Sequence, residues 1–492
     1  MSTLTQKALK IRSAALSIGA NFILNADSYK TSHSSMIRSD ATGYSSYIEA
    51  RKVDDYTIFA GLQPYVIRYL LIEITENDIK QAKAFVDAHI GPGVFNESDW
   101  NYILNEYGGK IPVTIRAVKE GLKVPTRNIL CDIECYDSRL VWLASYMETS
   151  LQRAIWYMST VATNSHKAKD ILKRMLHMTS DKSEAINFML HDFGGRGTTC
   201  EEQAQLGGAA HLFNFMGSDT MSGILAANTY YMSEMSAFSV RASEHSIQCA
   251  YADDIVNGEA EYFEMMLAQG VPGSIVSIVA DGRDVYRFTE MVVTKYIDQI
   301  IKSGVKIVLR PDSGDPLEVL PKIYDIIEKA LTDKDVVAKY GTLIALNSKH
   351  YRTLPAWLGV LQGDGVDNEA MQHILSKLAH KGWSSDVIVF GSGGALLQKM
   401  NRDTYKFAQK GSAIRIGDEW EDIFKNPITD PGKLSKKGRM NLLYNESTGE
   451  YKTVKRDDRI PGDWVNALEV VYENGEIYRL QTLDEIRELT NK

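Results

Sequence analysis

The sequence has little of what marks secreted, membrane-spanning or nucleic-acid-binding proteins. Its 492 residues include only 4 cysteines, too few for a disulfide scaffold. No stretch comes near the roughly 18 consecutive apolar residues of a transmembrane helix. The formal net charge of −8 leaves no broad basic face for nucleic acid or a membrane surface, although it allows a local basic pocket for a phosphorylated small molecule. We therefore expect a cytoplasmic protein without nucleic-acid or membrane partners.

The cysteines and the amino terminus agree with this expectation. Cys131 and Cys135 lie in an apolar, strand-like run and are predicted to be core thiols; with Cys200 and Cys249 they form no Cys-x-x-Cys pair. The segment Met1–Asn25 carries basic residues before an apolar run, as a signal peptide does. That run is short, interrupted by polar residues and without a convincing cleavage site, so we predict that it is not a signal peptide.

The length predicts two or three domains, and the pattern of apolar residues changes along the chain. Alternating apolar residues over 111–135 predict antiparallel β-structure, and the periodicity over 140–178 predicts helix. Residues 401–492 begin with a basic tract and end in a predicted β-hairpin and a short helix. Between them, a strand, a polar turn and a helix follow one another four times, which predicts parallel βαβ units with strands at Ser274–Val279, Val305–Leu309, Leu358–Leu361 and Val387–Phe390.

Polar residues follow each of these four predicted strands. They are Asp281, the pair Arg310 and Asp312, Asp364, and the glycine-rich turn Gly391–Gly394. Turns favour Asp, Gly and Ser in any protein, which explains one such turn well and four in succession poorly. Because parallel α/β folds bind ligands at the carboxyl ends of their strands, we expect these groups to line one binding face.

One further stretch, residues 191–197, mixes titratable, aromatic and basic side chains with three glycines. We expect the glycines to adopt positive φ and to allow close approach of a ligand, Phe193 to stack on a flat ring, and Arg196 to hold phosphate. The alternative is an ordinary surface turn. The aspartates suit ribose hydroxyls or Mg²⁺, so the combination predicts a pocket for a phosphorylated sugar and a flat ring. His245 beside such a pocket is either a structural histidine or a phosphoryl acceptor or acid–base group.

These motifs resemble the nicotinamide phosphoribosyltransferase family, and the similarity runs nearly from end to end. The motifs that carry it are Asp27–Lys30, His191–Gly194 with Arg196–Gly197, Gly217–Thr220, Glu244–Ser246, Arg310–Gly314, Gln362–Asp367, Phe390–Gly394 and Ser435–Arg439. The resemblance implies transfer of phosphoribosyl from phosphoribosyl pyrophosphate to nicotinamide, which gives nicotinamide mononucleotide and pyrophosphate in NAD salvage. It also implies Mg²⁺ held mainly by pyrophosphate, with protein ligands undefined, ATP as co-substrate, and a homodimer with its active sites at the subunit interface.

The resemblance implies an α/β fold with two domains. One is an irregular (β/α) barrel-like catalytic domain over residues 151–400. The other is a β-rich α+β domain built from residues 1–150 and 401–492.

Residue roles follow from the resemblance position by position. Phe193 and the partner subunit's Tyr29 would sandwich nicotinamide, and Asp219 would accept from its carboxamide, with Ser277 and Arg310 nearby. Asp312 would contact the ribose and His245 would be phosphorylated by ATP, oriented by Asp281. The 5′-phosphate and ribose would be held by Arg196, Arg402, Gly363, Asp364, Gly393 and Gly394, and the pyrophosphate by Arg51 and Lys410.

Substrate choice and two departures complete these expectations. The Asp219 carboxylate would favour nicotinamide, because it accepts from an amide and repels the carboxylate of nicotinate. Gly195 stands where we expect an aromatic residue, and Arg241 where we expect a proline before the histidine motif. The first departure affects the ring pocket and the second the support of His245.

Three other functions are compatible with parts of the sequence. A nicotinate phosphoribosyltransferase would be distinguished by the orientation of Asp219. A non-catalytic nucleotide-binding protein on the same scaffold would be expected to lack a motif residue, and we find none missing. A sugar-phosphate isomerase or aldolase barrel would require a well-placed lysine or glutamate base, which nothing in the sequence demands.

Overall fold

The computed structural model describes residues 5–6, 12, 19–251 and 255–492, and most of the segment discussed as a signal peptide lies outside them. The chain forms two compact units, Val161–Met400 and a unit that joins Met1–Thr160 to Asn401–Lys492. The first change of unit lies inside one long helix, Glu148–Thr179, ten residues beyond the boundary drawn from the sequence.

The Val161–Met400 unit is built on a curled, entirely parallel sheet. The strands Gly217–Ser218 and Arg241–Ala242 form the two edges of this sheet. Phe238, just before the second of these strands, forms a parallel bridge with Gly217 in the first, so the sheet curls back on itself. This confirms the predicted barrel-like α/β domain. The strands, in spatial order, are Gly217–Ser218, Leu190–Asp192, Ile388–Ser392, Leu358–Gln362, Lys306–Arg310, Ile275–Val279 and Arg241–Ala242.

Helices follow these strands as the periodicity predicted. Their apolar faces pack on the sheet, where Ile278, Ile307, Val360 and Ile388 are buried. The α-helices of the unit after Glu148–Thr179 are Glu201–His211, Met221–Tyr230, His245–Cys249, Ile255–Ala268, Val285–Lys295, Ile297–Ser303, Pro316–Leu331, Lys334–Tyr340, Asn368–His380 and Gly394–Leu397. A short antiparallel pair, Ala345–Leu346 with Arg352–Thr353, lies outside the main sheet.

The other unit contains a seven-stranded antiparallel sheet made from both ends of the chain. Its central strand, Ala41–Ala50, pairs on one side with Phe407–Ile416 and on the other with Ile129–Cys135. This confirms the predicted β-rich domain and places Cys131 and Cys135 in its core, as expected. The spatial order is Glu419–Asp422, Phe407–Ile416, Ala41–Ala50, Ile129–Cys135, Thr114–Ala117, Glu469–Glu473 and Glu476–Ile477.

Smaller elements complete this unit. The predicted hairpin turn is present, with Asn474 and Gly475 both at positive φ between the last two strands. Two further small sheets pair Tyr56–Ile58 with Lys123–Pro125, and Met440–Asn445 with Tyr451–Lys455 and Trp464–Asn466. The helices are Leu62–Tyr65, Glu76–His89, Glu97–Glu106, Leu143–Tyr146 and Leu483–Thr490, and the eight-residue 3₁₀-helix Ser28–Ser35 precedes them. None of the helices within the described residues has the length and apolar character needed to cross a membrane.

Candidate active site

Three turns at the carboxyl edge of the parallel sheet share the spacing Asp-x-x-Asp. In each turn the second aspartate caps the next helix: Asp284, Asp315 and Asp367 accept hydrogen bonds from backbone N–H groups in the first turns of their helices. Helix capping therefore accounts for only half of the carboxylates in these turns. The first aspartate of each turn does not cap its helix; these are Asp281, Asp312 and Asp364.

Asp312 lies at the centre of these three carboxylates. Its carboxylate lies 3.6 Å from Nε of Arg310. Burial raises the pKa of Asp312, and the negative charges of Asp281 and Asp364 raise it further, while Arg310 opposes the change. The carboxylate lies against Gly363, where a Cβ atom would approach its Oδ1 to 2.7 Å. Glycine at this position therefore lets the third turn approach the second, and the structure brings these residues together as the sequence predicted.

The stretch 191–197 differs from expectation in one respect. None of Gly194, Gly195 and Gly197 adopts positive φ. Glycine is needed at Gly194 because a Cβ atom there would lie 2.7 Å from Leu397. The ring of Phe193 requires a second glycine, since a Cβ on Gly391 would lie 2.1 Å from its Cε2. These glycines therefore allow close packing that positions the half-buried Phe193 ring, rather than a left-handed turn.

Two glycine-rich turns enclose a cavity of about 300 Å³. The cavity is lined by Gly363–Asp367 and Gly393–Ala395, and Gln398 and Lys399 complete the lining. Because Gly363 also contacts Asp312, this cavity adjoins the cluster of Asp281, Asp312 and Asp364. Backbone N–H groups beside a lysine favour an anion such as a phosphate.

His245 pairs with Asp281. Nε2 of His245 lies 2.9 Å from Oδ1 of Asp281, and the imidazole is about half exposed, whereas the carboxylate is 3% exposed. A buried carboxylate bonded to one ring nitrogen orients the imidazole and leaves the other nitrogen available at the surface. The second carboxylate oxygen of Asp281 is buried and has no hydrogen-bond partner among the residues described.

Asp219 and Ser277 are the polar groups predicted around the base. Asp219 is exposed; its backbone N–H donates to the carbonyl of Asp192, and its carboxylate accepts from the hydroxyl of Ser239. Ser277 is buried in the strand Ile275–Val279, and its hydroxyl has no partner in the described part of the chain. Both groups are therefore polar and have hydrogen-bonding capacity left for a ligand. Arg196, in the short turn Gly195–Gly197, is exposed.

The remaining predicted residues belong to the unit that contains both chain ends. Tyr29 lies on the 3₁₀-helix Ser28–Ser35 and is 57% exposed. Lys410 is half-buried on the strand Phe407–Ile416; burial lowers its pKa, and Arg51, Lys425 and Arg402 lower it further, although Glu148 opposes them. Arg51, Arg402 and Lys410 thus form a cationic group in which Arg51 is also paired with Glu49 at 2.7 Å.

Sequence reasoning missed several residues around these groups. Lys399 lines the glycine cavity, and its position five residues after Gly394, just beyond one short helix, was a usable signal. Lys425 joins the cationic group only through folding, so its position in the sequence carried no signal. Ser243, two residues before His245, accepts a hydrogen bond from Arg310 at 2.9 Å through its carbonyl, which no side-chain pattern reveals.

Two solved structures share the fold of this chain. A nicotinate-nucleotide pyrophosphorylase from Pyrococcus furiosus covers 96% of this chain and 95% of its own, with a TM-score of 0.59 at 18% identity. The human nicotinic acid phosphoribosyltransferase covers 94% and 92%, with a TM-score of 0.55 at 16% identity. At these identities the likeness is one of fold alone.

Sequence comparison identifies the family to which the chain belongs. The family model described as the nicotinate phosphoribosyltransferase (NAPRTase) family matches residues 188–476, and that of the nicotinamide phosphoribosyltransferase N-terminal domain matches residues 21–115. A nicotinamide phosphoribosyltransferase from Xanthomonas campestris pv. campestris is 41% identical over 95% of this chain and 97% of its own. The chain is thus an enzyme of the phosphoribosyltransferase class and belongs to the nicotinamide phosphoribosyltransferase family.

Proposed function

We propose that the described site performs phosphoribosyl transfer to nicotinamide in NAD salvage, driven by ATP through phosphorylation of His245. The pyridine nitrogen of nicotinamide forms a bond to C1 of the ribose, and the bond from C1 to pyrophosphate breaks. Family membership supports the transferase reaction. The observation that supports its location is the glycine cavity, which adjoins Asp312 and Arg310 through Gly363.

The side chains suit the charges that develop in this reaction. Positive charge grows on the ribose as negative charge grows on the leaving pyrophosphate, so catalysis depends on positioning and electrostatic stabilisation. Asp312 contacts the ribose, and Arg310 lies beside it. The cavity with Lys399 holds the 5′-phosphate together with Arg196. The cationic group of Arg51 and Lys410 receives the pyrophosphate.

Mg²⁺ fits this site only together with substrate. Within the residues described, no group of three or more His, Cys, Asp or Glu side chains is placed to hold a metal ion. Mg²⁺ commonly binds one or two carboxylates together with phosphate oxygens and water, and Asp312 and Asp364 can supply those carboxylates. When bound, the ion neutralises charge on the pyrophosphate.

Asp219 selects the base. Ser239 donates to this carboxylate, which orients it and leaves a further oxygen lone pair for the carboxamide of nicotinamide. The carboxylate of nicotinate in the same position would meet a like charge, which disfavours its binding. Phe193 supplies one face for the ring.

His245 accepts the γ-phosphoryl group of ATP, and ADP leaves. The phosphoryl group is later released to water as inorganic phosphate. The exposed imidazole and its buried partner Asp281 support this assignment, because the carboxylate stabilises a cationic or phosphorylated ring while the free nitrogen faces solvent.

The enzyme acts as a homodimer in which Tyr29 of the partner subunit covers the nicotinamide ring. An exposed apolar surface of the Val161–Met400 unit supports this proposal: Met221 is 77% and Leu225 64% exposed on adjacent turns of one helix, and Phe238 is also exposed. Apolar groups this exposed favour a protein partner. We expect Leu225→Asp to reduce the sedimentation coefficient to that of a monomer and to lower activity. Ile428→Asp, at an exposed apolar residue of the other unit, is the control. A Leu225→Asp enzyme that remains dimeric and active would refute this interface.

The Asp-x-x-Asp turns allow a matched test of the transferase site. We expect wild-type enzyme with phosphoribosyl pyrophosphate and Mg²⁺ to form mononucleotide from nicotinamide in preference to nicotinate, and ATP to stimulate the reaction. Asp312→Asn should lose most activity. Asp315→Asn should retain it, because asparagine caps a helix about as well as aspartate.

Each contrary result has a distinct meaning. Preference for nicotinate would replace the proposed substrate by that of the sister activity. Equal activity of Asp312→Asn and Asp315→Asn would remove Asp312 from the site. Absence of turnover with either base would contradict an enzymatic function.

A further inference from the structure

Ser243 connects the His245 segment to Arg310, and each of its polar groups takes part. Its N–H donates to the carbonyl of Ser277 at 3.0 Å, and its carbonyl accepts from Nη2 of Arg310 at 2.9 Å. Its hydroxyl oxygen accepts from the N–H of Val279 at 3.0 Å. Ser243 is 5% exposed, so these bonds are formed away from solvent and are costly to leave unmade.

Tyr262 closes a ring of three hydrogen bonds around Ser243. The phenol donates to the carbonyl of Val279 at 3.1 Å and lies 2.6 Å from the hydroxyl of Ser243. Because the phenol has one proton and uses it on Val279, Ser243 donates to the phenol oxygen. Burial raises the pKa of Tyr262 to about 12, so the phenol keeps its proton throughout the physiological range. This ring of hydrogen bonds therefore fixes the position of Ser243 against the strand Ile275–Val279.

This arrangement gives Ser243 two neighbours of different function. Only Glu244 separates Ser243 in sequence from His245, which begins the short helix His245–Cys249. The carbonyl of Ser243 accepts a hydrogen bond from the guanidinium of Arg310. A phosphoryl group on His245 would add a charge of about −1.5 to −2 near the buried Asp281 carboxylate, which lies 2.9 Å from the imidazole. The added charge changes the electrostatic force on the start of the helix. The main chain leads from there through Glu244 to the carbonyl of Ser243, which accepts the hydrogen bond from Arg310.

We propose that Ser243, fixed by Tyr262, is a positioning residue that transmits the phosphorylation state of His245 to Arg310. This inference rests on the proposed function, since it requires both ATP-dependent phosphorylation and a role for Arg310 in transfer. In this proposal the position of the Arg310 guanidinium differs between the phosphorylated and the unphosphorylated form of His245. Substitutions in the hydrogen-bonded ring should therefore change ATP stimulation and not phosphorylation itself.

Two variants and one matched control test the inference. Tyr262→Phe removes the phenol oxygen, and Ser243→Ala removes the hydroxyl that it bonds. Tyr324→Phe is the control, because it removes another fully buried phenol that donates to a backbone carbonyl, that of Val387 at 3.0 Å. For each purified full-length protein we would measure phosphohistidine formed from labelled ATP, and kcat and KM for nicotinamide with and without ATP.

We expect the ratio of kcat/KM with ATP to that without ATP to fall about fivefold or more in Tyr262→Phe and in Ser243→Ala, the lower end of typical coupling between sites. Phosphohistidine should form as in wild type, and Tyr324→Phe should keep the wild-type ratio. The double variant should resemble either single variant, because both act on one ring of hydrogen bonds.

The contrary outcomes separate the inference from the proposed function. Wild-type stimulation retained in both ring variants would overturn the role of Ser243 and leave the proposed function intact. Loss of phosphohistidine in the ring variants would overturn the inference too, because the ring would then act on phosphorylation directly. A wild-type enzyme that is not stimulated by ATP would refute the proposed coupling itself, and the inference with it.

Discussion

Asp192 provides a quantitative test of how the site is built, because its carboxyl group is fully buried beneath the Phe193 loop. Its Oδ1 accepts from the N–H of Gly194 at 2.7 Å, and its carbonyl accepts from the N–H of Asp219 at 2.9 Å. Burial raises the pKa of Asp192 from the ordinary 3.8 to about 6, although the bond from Gly194 opposes the change. The folded protein therefore disfavours the charged form of this group.

The sign of the effect on stability follows from proton binding. Between pH 4 and pH 6 the folded state holds a proton on Asp192 that the unfolded state has lost, so the free energy of unfolding falls as pH rises through this range. The difference between 3.8 and about 6, at 1.36 kcal/mol for each pH unit, corresponds to about 3 kcal/mol above pH 6. Asp192→Asn keeps the acceptor for Gly194 and has no charge to bury, so it should be more stable by this amount at pH 8.

Thermal unfolding followed by circular dichroism from pH 4 to pH 8 measures this difference. We expect nearly equal midpoints for the two proteins at pH 4 and a midpoint for Asp192→Asn higher by about 3 °C at pH 8, because unfolding of 492 residues has an entropy of about 1 kcal/mol per kelvin. Asp457→Asn, at an exposed position in a turn, should follow wild type at every pH. A difference between Asp192→Asn and wild type that does not vary with pH would refute the assigned pKa and its cause.

Four other predictions concern activity. Asp219→Asn should erode the preference for nicotinamide over nicotinate in competition assays; an unchanged preference would remove Asp219 from base selection. Arg310→Ala should lower kcat/KM by about 10² to 10³, the usual effect of losing one positioned donor, and near-normal turnover would contradict its role. His245→Ala should retain basal transfer without ATP stimulation, and phosphohistidine still formed in that variant would place the phosphoryl group elsewhere. Gly391→Ala should raise KM for nicotinamide, because the new Cβ would displace the ring of Phe193; an unchanged KM would show that the ring position does not matter.

Much of the fold follows from the periodicity of apolar residues. The repeated strand, turn and helix of the second half are present with strand ends within about two residues of expectation, as at Lys306–Arg310 and Leu358–Gln362. Long periodic segments were predicted well because their apolar faces pack on the sheet. The apolar periodicity of residues 59–72 by itself predicts one amphipathic helix, whereas the structure has the short helix Leu62–Tyr65 followed by a turn of π-helix at Val66–Leu70. Tertiary packing around these buried residues decides that geometry, and local periodicity does not record it.

Some features of the candidate site could likewise be predicted from the sequence, and others could not. The sequence indicated that Asp281, Asp312 and Asp364 follow parallel strands, and parallel strands present their carboxyl ends on one edge, so their convergence could be predicted. The sequence did not indicate why the glycines near Phe193 are needed. Those of residues 191–197 were expected to take positive φ, but Gly194, like Gly391 beside the Phe193 ring, serves close packing between segments about 200 residues apart.

By itself, the sequence determined the class of fold, the edge of the sheet at which we expect ligands to bind, and the residues that carry charge there. These properties follow from local pattern, since strand and helix periodicity and turn chemistry act over a few residues. Only the tertiary structure decided how Ser243 connects His245 to Arg310. That contact joins residues distant in sequence through a backbone carbonyl, and every residue type carries the same backbone carbonyl.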